Sequence, residues 1–294
     1  MLPPFEIHQP KTVAEAAAAR RSLGEAAAVY AGGTELVLVL KEGLAAYEHV
    51  IDVKLIAELR GLGRRDGAAP VLTIGSAVTH RELERSALVR ERFPMLAEME
   101  ARVANPRVRA VGTLGGNLSF AEPHSDPPTA LLAYDATVTL HGTAGARTLP
   151  LVEFIRGSYE TALEPDEILA GVTVPEPPGP AVGAYMKYGF HERPTVGVAV
   201  LLRLDARRTT VAEARVVVGC VGPVPLRLGT VEAALAGAPL TALDRVASVT
   251  RDAAARLDAV SDLHGSAEYK RHLAAVFVAR ALAVAARRAD GTGR

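Results

Sequence analysis

The sequence contains a single cysteine, Cys220, among 294 residues. One thiol excludes a disulfide within the chain. It also excludes an iron–sulfur cluster or a cysteine-ligated zinc site built from this chain alone. Because Cys220 lies in the apolar run at residues 216–221, we expect a buried structural thiol and not a nucleophile.

The sequence also lacks an excess of positive or negative charge, and it lacks long apolar runs. The 33 basic side chains balance 33 acidic ones, so the formal net charge is zero. This balance gives no electrostatic basis for binding nucleic acid or an anionic membrane. No uninterrupted run of about 18 apolar residues occurs, and residues 1–8 lack a basic stretch followed by an apolar one. We therefore expect no membrane span, no standard secretory signal and a cytoplasmic location.

Two common nucleotide-binding motifs are absent. The chain has no G-x-x-x-x-G-K-S/T sequence, and no G-x-G-x-x-G follows a strand and opens a helix. The nearest approach, at residues 61–67, has the wrong spacing, and we expect it to be a surface hairpin loop. A P-loop NTPase and a dinucleotide fold of the G-x-G-x-x-G type are therefore unsupported.

Residues 28–41 have the pattern of a strand, a tight turn and a helix start. Apolar residues 28–30 precede Gly32-Gly33-Thr34, and the helix-compatible run 36–41 follows. A helix beginning near Thr34 directs its free N–H groups and the positive end of its dipole into the turn, which favours a phosphate or pyrophosphate. A Gly-Gly pair at this position is also a common plain connection. The turn alone leaves both interpretations open.

A second candidate lies at residues 111–128, which are rich in glycine and hydroxyl side chains and which we expect to form a loop. Gly112, Gly115 and Gly116 allow backbone N–H groups to surround an anion, and Thr113 and Asn117 add short polar side chains. A connection without a ligand is again the alternative. Two such loops in one chain suggest a nucleotide with more than one phosphate.

Local signals predict the remaining elements. Thr12 with Glu15 and Thr79 with Glu82 form capping boxes that predict helix starts. Four prolines within residues 175–180 predict a stiff linker and a domain boundary. Strands are predicted at residues 49–53, 71–74, 137–140, 168–174, 184–190, 196–204 and 211–218. Helices are predicted at residues 13–22, 231–235, 243–257 and 268–288.

Five ordered segments give the chain a resemblance to the flavoprotein (medium) subunit of the molybdenum hydroxylases, the group that includes carbon monoxide dehydrogenase and xanthine dehydrogenase. The segments are residues 31–36, 73–76, 112–117, 125–128 and 265–273. The resemblance implies a mixed α+β fold. Its first part is a two-part FAD-binding domain of the vanillyl-alcohol-oxidase/PCMH type at residues 1–176, with subdomains at about 1–55 and 56–176. A small α+β C-terminal domain follows at residues 181–288.

The resemblance implies FAD as the cofactor and assigns residues to its pyrophosphate. The Thr34 hydroxyl is implied as a direct donor. The backbone of the first loop is implied to lie along the pyrophosphate, and the second loop to lie on its other side. The residues concerned are Tyr30, Ala31, Gly32, Gly33, Thr34 and Glu35 in the first loop, and Thr113, Gly115, Gly116 and Asn117 in the second.

Four further residues match family positions near the rest of the cofactor. Asp126 resembles the carboxylate that binds ribityl or ribose hydroxyls, although a turn cap is the alternative. Leu169 matches an apolar residue that packs near the flavin ring. Lys187 matches a lysine at the flavin end, where a cation favours the reduced anionic flavin; an exposed lysine of an edge strand is the alternative. Tyr185 is expected against the ring.

The resemblance also implies partners and a function. Substrate is hydroxylated at a molybdenum cofactor in a large subunit, and electrons pass through 2Fe-2S clusters in a small subunit. The FAD of this chain collects the electrons for an external acceptor, and the complex is implied to be a dimer of heterotrimers. Ala110 and residues 191–194 depart from the family pattern and concern the acceptor side. The alternatives are a stand-alone flavin-dependent oxidase or dehydrogenase and a non-catalytic nucleotide-binding module.

Overall fold

A computed structural model describes residues 2–189 and 193–291 of the chain. Its residues form two compact units that alternate along the sequence. The first unit comprises residues 1–83, 105–121 and 136–174, and the second comprises residues 84–104, 122–135 and 175–294. Residues 84–104 and 122–135 thus pack with the C-terminal part of the chain. The domain boundary proposed at residues 176–181 stays a prediction.

The strands of the first unit are, in chain order, β1 (Glu6–His8), β2 (Ala27–Tyr30), β3 (His49–Asp52), β4 (Leu62–Arg65), β5 (Val71–Gly75), β6 (Thr137–Gly142), β7 (Gly145–Pro150), β8 (Ile155–Gly157), β9 (Glu160–Thr161) and β10 (Ile168–Pro175). They form a three-stranded sheet in the order β1-β3-β2, a five-stranded sheet in the order β4-β5-β10-β6-β7, and the two-stranded β8-β9 pair. In the small sheet β3 pairs in parallel with both neighbours.

The helices up to residue 154 are α1 (Val13–Leu23), α2 (Leu36–Lys41), α3 (His80–Arg85), α4 (Ala87–Arg92), α5 (Pro94–Glu100), α6 (Pro106–Val111), α7 (Leu114–Phe120), α8 (Asp126–Ala133) and α9 (Leu151–Phe154). Both predicted helix starts are confirmed, and the capping box at Thr79 is complete. The Thr12 hydroxyl accepts the N–H of Glu15 at the start of α1, while the Glu15 carboxylate accepts the N–H of Lys11 and not that of Thr12. At the start of α3, Thr79 and Glu82 each cap the other's backbone N–H. These pairs form because their partners lie only three residues apart.

The second unit contains an antiparallel sheet covered by helices. Its strands are β11 (Ala181–Tyr188), β12 (Val196–Leu204), β13 (Val211–Gly219) and β14 (Leu226–Arg227), and its later helices are α10 (Gly229–Leu235), α11 (Ala247–Ala255) and α12 (Ala267–Ala289). The sheet order is β11-β12-β13-β14. Alternate residues of β12 and the apolar stripe of α12 share one hydrophobic core, as their patterns predict.

The structure corrects three expectations about secondary structure. Residues 112–128 are not one loop, because α7 occupies 114–120 and α8 begins at Asp126. Residues 61–67 are not all loop, because β4 pairs with β5. The helix expected at 243–257 is the end of a 3-10 segment at residues 240–246, followed by α11 from residue 247, and the 3-10 segment has a non-helical backbone at Ala242. No described helix is long and apolar enough to cross a membrane.

Candidate functional site

The first glycine turn lies between β2 and α2, as the sequence predicts. Gly33 has a φ of 72°, a conformation that glycine adopts without the steric cost of a side chain. The carbonyl of Gly33 accepts the N–H of Val37 at 3.0 Å, so the first helical hydrogen bond starts within the turn. The turn therefore faces the N-terminus of α2.

The backbone donors of this turn fit an anion. Within the described part of the chain, the N–H groups of Gly32, Gly33 and Thr34 donate to no backbone acceptor. Three consecutive N–H groups at a helix start are the donors that bind phosphate oxygens in proteins. The residues are partly exposed, which leaves the turn open to a ligand.

The two glycine segments pack directly against each other. A Cβ atom on Gly32 would lie 2.2 Å from the carbonyl oxygen of Val111 and 2.7 Å from Cα of Gly112. A Cβ atom on Gly112 would lie 3.5 Å from Oγ1 of Thr34. We call residues 30–35 and 111–117 together the glycine cradle. Its two segments approach so closely that position 32 has no room for a side chain.

The second segment of the cradle is the N-terminus of α7 and not an open loop. The Thr113 hydroxyl accepts the N–H of Gly116 at 3.1 Å and so caps the helix, while Leu114 and Leu118 bury one face of it. This cap and this burial offset the weak helix propensity of glycine. Ala121, with a φ of 51°, ends the helix.

Backbone contacts that the sequence did not predict support this segment. The backbone carbonyl of Ser76 accepts the N–H of Gly115 at 2.9 Å, and that of Val78 accepts the N–H of Leu114 at 3.0 Å. The backbone N–H of His80 donates to the carbonyl of Gly112 at 3.1 Å. A Cβ on Gly115 would lie 2.3 Å from Cβ of Ser76. The N–H groups of residues 114–116 are therefore used inside the protein, which corrects the expectation that they surround an anion. Thr113 is buried and its hydroxyl serves as the cap, so the positive end of the α7 dipole and the partly exposed Asn117 are the polar features left at this segment.

Leu169 lies in the same unit but inside a sheet. It is buried in β10 opposite Leu140 of β6. A bulge follows it, and the carbonyl of Ala170 in that bulge accepts the N–H of Ser76 at 3.1 Å. The bulge thus connects β10 to Ser76, which supports the second segment of the cradle. This link joins segments almost a hundred residues apart, so no local sequence signal points to it.

The second unit brings together Asp126, Tyr185 and Lys187. The Tyr185 hydroxyl donates to Oδ1 of Asp126 at 2.5 Å, and the Lys187 ammonium donates to Oδ2 at 2.8 Å. Lys187 also donates to the carbonyl of Arg102 at 2.6 Å. Asp126 is only 3% exposed and is the first residue of α8, where the helix dipole favours a carboxylate. The carboxyl group is therefore held by a tyrosine and a lysine and is more than a turn cap.

Tyr185 has a supporting position. Its ring is fully buried, so it presents no face to a ligand, in contrast to the expectation from the resemblance. Burial, followed by the nearby Asp126 carboxylate, raises the pKa of the Tyr185 hydroxyl well above its usual value. Tyr185 therefore stays protonated and acts as a hydrogen-bond donor to Asp126.

Cys220 is confirmed as a buried thiol. Burial, followed by the charge of Asp126, raises its pKa well above the ordinary value. Its sulfur lies 3.7 Å from the carbonyl oxygen of Ser125. A thiol whose pKa is raised in this way does not form the nucleophilic thiolate.

A network of partly buried ionisable side chains holds the segment that leads into Asp126. His124 lies between Glu122, at 3.2 Å from Nδ1, and Asp262, at 3.0 Å from Nε2. Lys270 of α12 is 1% exposed and donates to Asp262. Arg193 reaches Glu122 at 3.2 Å. Glu122 and His124 belong to a segment expected to be a loop, and their long-range partners were not predicted.

The structure describes only some of the residues that depart from the family pattern, Ala110 and residues 191–194. Ala110 lies in α6, directly before the cradle. Arg193 and Pro194 are described, whereas His191 and Glu192 lie outside the described residues, as does Phe190 at the end of the predicted strand. The predicted contact residues thus fall into two groups: the glycine cradle with Leu169 in the first unit, and Asp126 with Lys187 in the second.

Comparison with known proteins adds independent observations. Residues 3–177 match the family model described as the FAD binding domain in molybdopterin dehydrogenase. Residues 186–285 match the one described as the CO dehydrogenase flavoprotein C-terminal domain. The chain belongs to the flavoprotein subunits of the molybdenum hydroxylases. The resemblance seen in the five sequence segments is thereby confirmed.

Individual members of this family resemble the chain over almost its full length. The carbon monoxide dehydrogenase medium chain of Hydrogenophaga pseudoflava is 36% identical over 96% of this chain and 97% of its own. A xanthine dehydrogenase FAD-binding subunit of Escherichia coli is 32% identical over 90% of each chain. The solved structure of the Hydrogenophaga carbon monoxide dehydrogenase matches with a TM-score of 0.91, covering 98% of this chain and 99% of its own.

Membership confirms the fold class and the cofactor predicted from the sequence. The chain is a mixed α/β flavoprotein subunit with an FAD-binding domain followed by the C-terminal domain of this family. It is an oxidoreductase subunit of the carbon monoxide and xanthine dehydrogenase type. FAD is its cofactor, and the molybdenum and iron–sulfur groups belong to other subunits. The three N–H groups of the cradle and its closely packed glycines fit the pyrophosphate of FAD.

Proposed function

We propose that this chain is the electron-output subunit of a molybdenum hydroxylase, which takes electrons from the iron–sulfur clusters of a partner subunit and passes them to an external acceptor. When bound, FAD supplies the redox chemistry, since its flavin ring takes up and releases electrons. The residues of this chain bind the cofactor, orient it and set its surroundings. We also propose that the enzyme works in the cytoplasm.

The observation that carries the proposal is the set of donors in the glycine cradle. Within the described residues, the N–H groups of Gly32, Gly33 and Thr34 donate to no backbone acceptor. These residues directly precede Glu35, the N-cap of α2, and a helix N-terminus stabilises a negative charge. In the proposal they donate to the FAD pyrophosphate together with the Thr34 hydroxyl. The backbone of Tyr30, Ala31 and Glu35 lies along the same group. Thr113, Gly115, Gly116 and Asn117 line its other side.

The proposed role of Asp126 rests on its chemistry and on its match to the family position. Tyr185 and Lys187 each contact one oxygen of this carboxylate, and a carboxylate accepts hydrogen bonds at several lone-pair sites. In the proposal, Asp126 binds a ribityl or ribose hydroxyl of the cofactor. Lys187 balances its charge and, in the proposal, lies at the flavin end of the cofactor. Leu169 contributes apolar surface near the ring.

The single cysteine supports a dependence on partners. A 2Fe-2S cluster needs several thiolates, and the chain has one thiol, which is buried. The clusters that reduce FAD must then lie in a separate subunit. We propose a complex with an iron–sulfur small subunit and a molybdenum-binding large subunit, assembled as a dimer of heterotrimers.

Cofactor preference tests the cradle. The chain, freed of flavin, is titrated with FAD and with FMN while flavin fluorescence is followed. We expect FAD to bind at least tenfold more tightly, because only FAD has the pyrophosphate that the two segments of the cradle are proposed to hold. Equal affinity for FMN would contradict this use of the cradle.

Activity with and without partners tests the electron-transfer role. We expect co-expression with neighbouring genes for iron–sulfur and molybdenum subunits to yield a three-subunit oxidoreductase. The FAD-loaded chain alone should show at most slow dye reduction with a supplied reductant. Rapid turnover of a small organic substrate by the chain alone, with no molybdenum or iron present, would overturn the proposal in favour of a stand-alone flavin oxidase. Failure to bind flavin at all would favour a nucleotide-binding module.

A further inference from the structure

Two histidines and a glutamate meet on the small parallel sheet of the first unit. Nε2 of His8 lies 3.1 Å from Nδ1 of His49. Oε2 of Glu6 lies 3.5 Å from Nδ1 of His49 and 3.9 Å from Nε2 of His8. Each residue thus offers one metal-ligating atom, and all three atoms lie within 4.8 Å of one another.

The pairing of the strands explains why these side chains converge. Glu6 and His8 are two residues apart in β1, so they project from the same face of the sheet. Glu6 is the partner of His49 in the parallel β1–β3 ladder, and side chains paired across strands project to the same side. The sheet register therefore places all three donors together on one face.

The distances between the donor atoms match the requirements of a tetrahedral cation. Zinc binds histidine nitrogen and carboxylate oxygen at about 2.0–2.2 Å. At the tetrahedral angle, two such ligand atoms lie about 3.3–3.5 Å apart. The three observed distances, 3.1, 3.5 and 3.9 Å, bracket this value. Small side-chain rotations are enough to make them equal.

The donor types indicate the class of metal. Imidazole nitrogen suits zinc, copper, nickel and cobalt, whereas magnesium and calcium prefer sites made of oxygen. Glu6 has 68% of its side chain exposed, and His8 and His49 are each about a quarter exposed. A cation can therefore reach the three atoms from solvent, and a water molecule can fill the fourth position.

We propose that Glu6, His8 and His49 bind one divalent cation of the zinc class, with water as the fourth ligand. The cation links β1 to β3 by bonds between side chains, in addition to the backbone ladder. Strand β3 also pairs with β2, which leads directly into the glycine cradle. The site therefore stabilises the sheet on which the first cradle segment is built.

Without a cation, the rings of His8 and His49 are joined by a hydrogen bond, and the Glu6 carboxylate lies beside them. The two cases differ in what happens when metal is added. A hydrogen-bonded pair alone gives no stoichiometric zinc binding that depends on all three side chains.

Zinc titration of the full chain tests the proposal. The protein is prepared without a polyhistidine tag, stripped with EDTA and titrated with ZnCl2 in a calorimeter, and MgCl2 serves as the control cation. We expect one zinc per chain and no magnesium binding. With zinc at about a hundredfold excess over its Kd, the ratio of folded to unfolded protein should rise by about a hundredfold. Cobalt in place of zinc should give the strong visible absorption of a tetrahedral site.

Matched variants locate the site. Glu6→Gln and His49→Gln should each weaken zinc binding by at least tenfold, whereas His272→Gln, at an exposed histidine of α12, should leave it unchanged. Glu6 is exposed, so its variant tests the site even if the His49 variant folds poorly. Zinc binding that persists unchanged in Glu6→Gln and His49→Gln, or the absence of stoichiometric zinc binding in the parent chain, would overturn the proposal.

Discussion

Replacing Gly32 with alanine is the sharpest test of the glycine cradle. The new methyl group would lie 2.2 Å from the carbonyl oxygen of Val111, more than 1 Å short of the 3.4 Å at which ordinary contact begins. The obstructing atoms belong to the backbone at Val111 and Gly112, so no side chain can rotate away. The φ of Gly32 is not positive, and the effect is therefore steric and not conformational.

The expected magnitude follows from the hydrogen bonds that the shift disturbs. Overpacking of this kind costs about 1–3 kcal/mol, which a folded domain can tolerate. A hydrogen bond to a charged group contributes about 1.5–3 kcal/mol. Misaligning one N–H group of the cradle should therefore weaken FAD binding by about 10- to 150-fold. The overall fold should persist.

Flavin fluorescence titration measures the affinity, and far-UV circular dichroism checks the fold. Gly63→Ala is the matched control, because a Cβ there meets nothing within 4 Å and the residue lies in the same unit. The control should bind FAD like the parent chain. If Gly32→Ala also binds FAD with unchanged affinity, the packing of the two segments is not what shapes the binding site.

Three further predictions follow from other contacts. Gly116→Asp should abolish FAD binding but preserve the circular dichroism spectrum. A Cβ added at Gly116 would lie 2.9 Å from the capping hydroxyl of Thr113, and the new negative charge repels phosphate; full flavin content in the purified variant would contradict this. Lys187→Met removes the ammonium partner of the buried Asp126 and should lower the free energy of unfolding in urea by about 3 kcal/mol. Lys187→Arg keeps a positive charge and should retain most of the stability. Equal losses of stability in the two variants would contradict a role for the charge. The hydrogen bond from Arg147 lowers the pKa of Glu167, so this pair stabilises the fold above the unfolded pKa of about 4.3 and the stabilisation is lost as pH falls through the lower folded pKa. Glu167→Gln should therefore cost about 1 kcal/mol at pH 7 and progressively less below about pH 4, and a difference from the parent that is independent of pH would disprove the linkage.

Local chemistry in the sequence determined much of the fold. The hydroxyl caps at Thr12 and Thr79 formed as predicted, because each hydroxyl needs a partner only three residues away. The strands of the C-terminal sheet followed from their apolar patterns within a few residues. The pattern of residues 28–41 predicted the turn at Gly32-Gly33, and five short segments in a fixed order identified the family. Elements without such a pattern were missed, among them β7, whose residues are almost all exposed.

Only the tertiary structure decided which groups meet. Gly32 packs on Val111, Asp126 is paired with residues 59 and 61 positions away, and His8 meets His49 across a parallel ladder. Residues 114–120 became a helix because a buried face and the Thr113 cap outweigh the poor propensity of two glycines. Contacts between distant segments depend on strand order and register, which are set by the burial of the whole core and not by any short stretch of sequence.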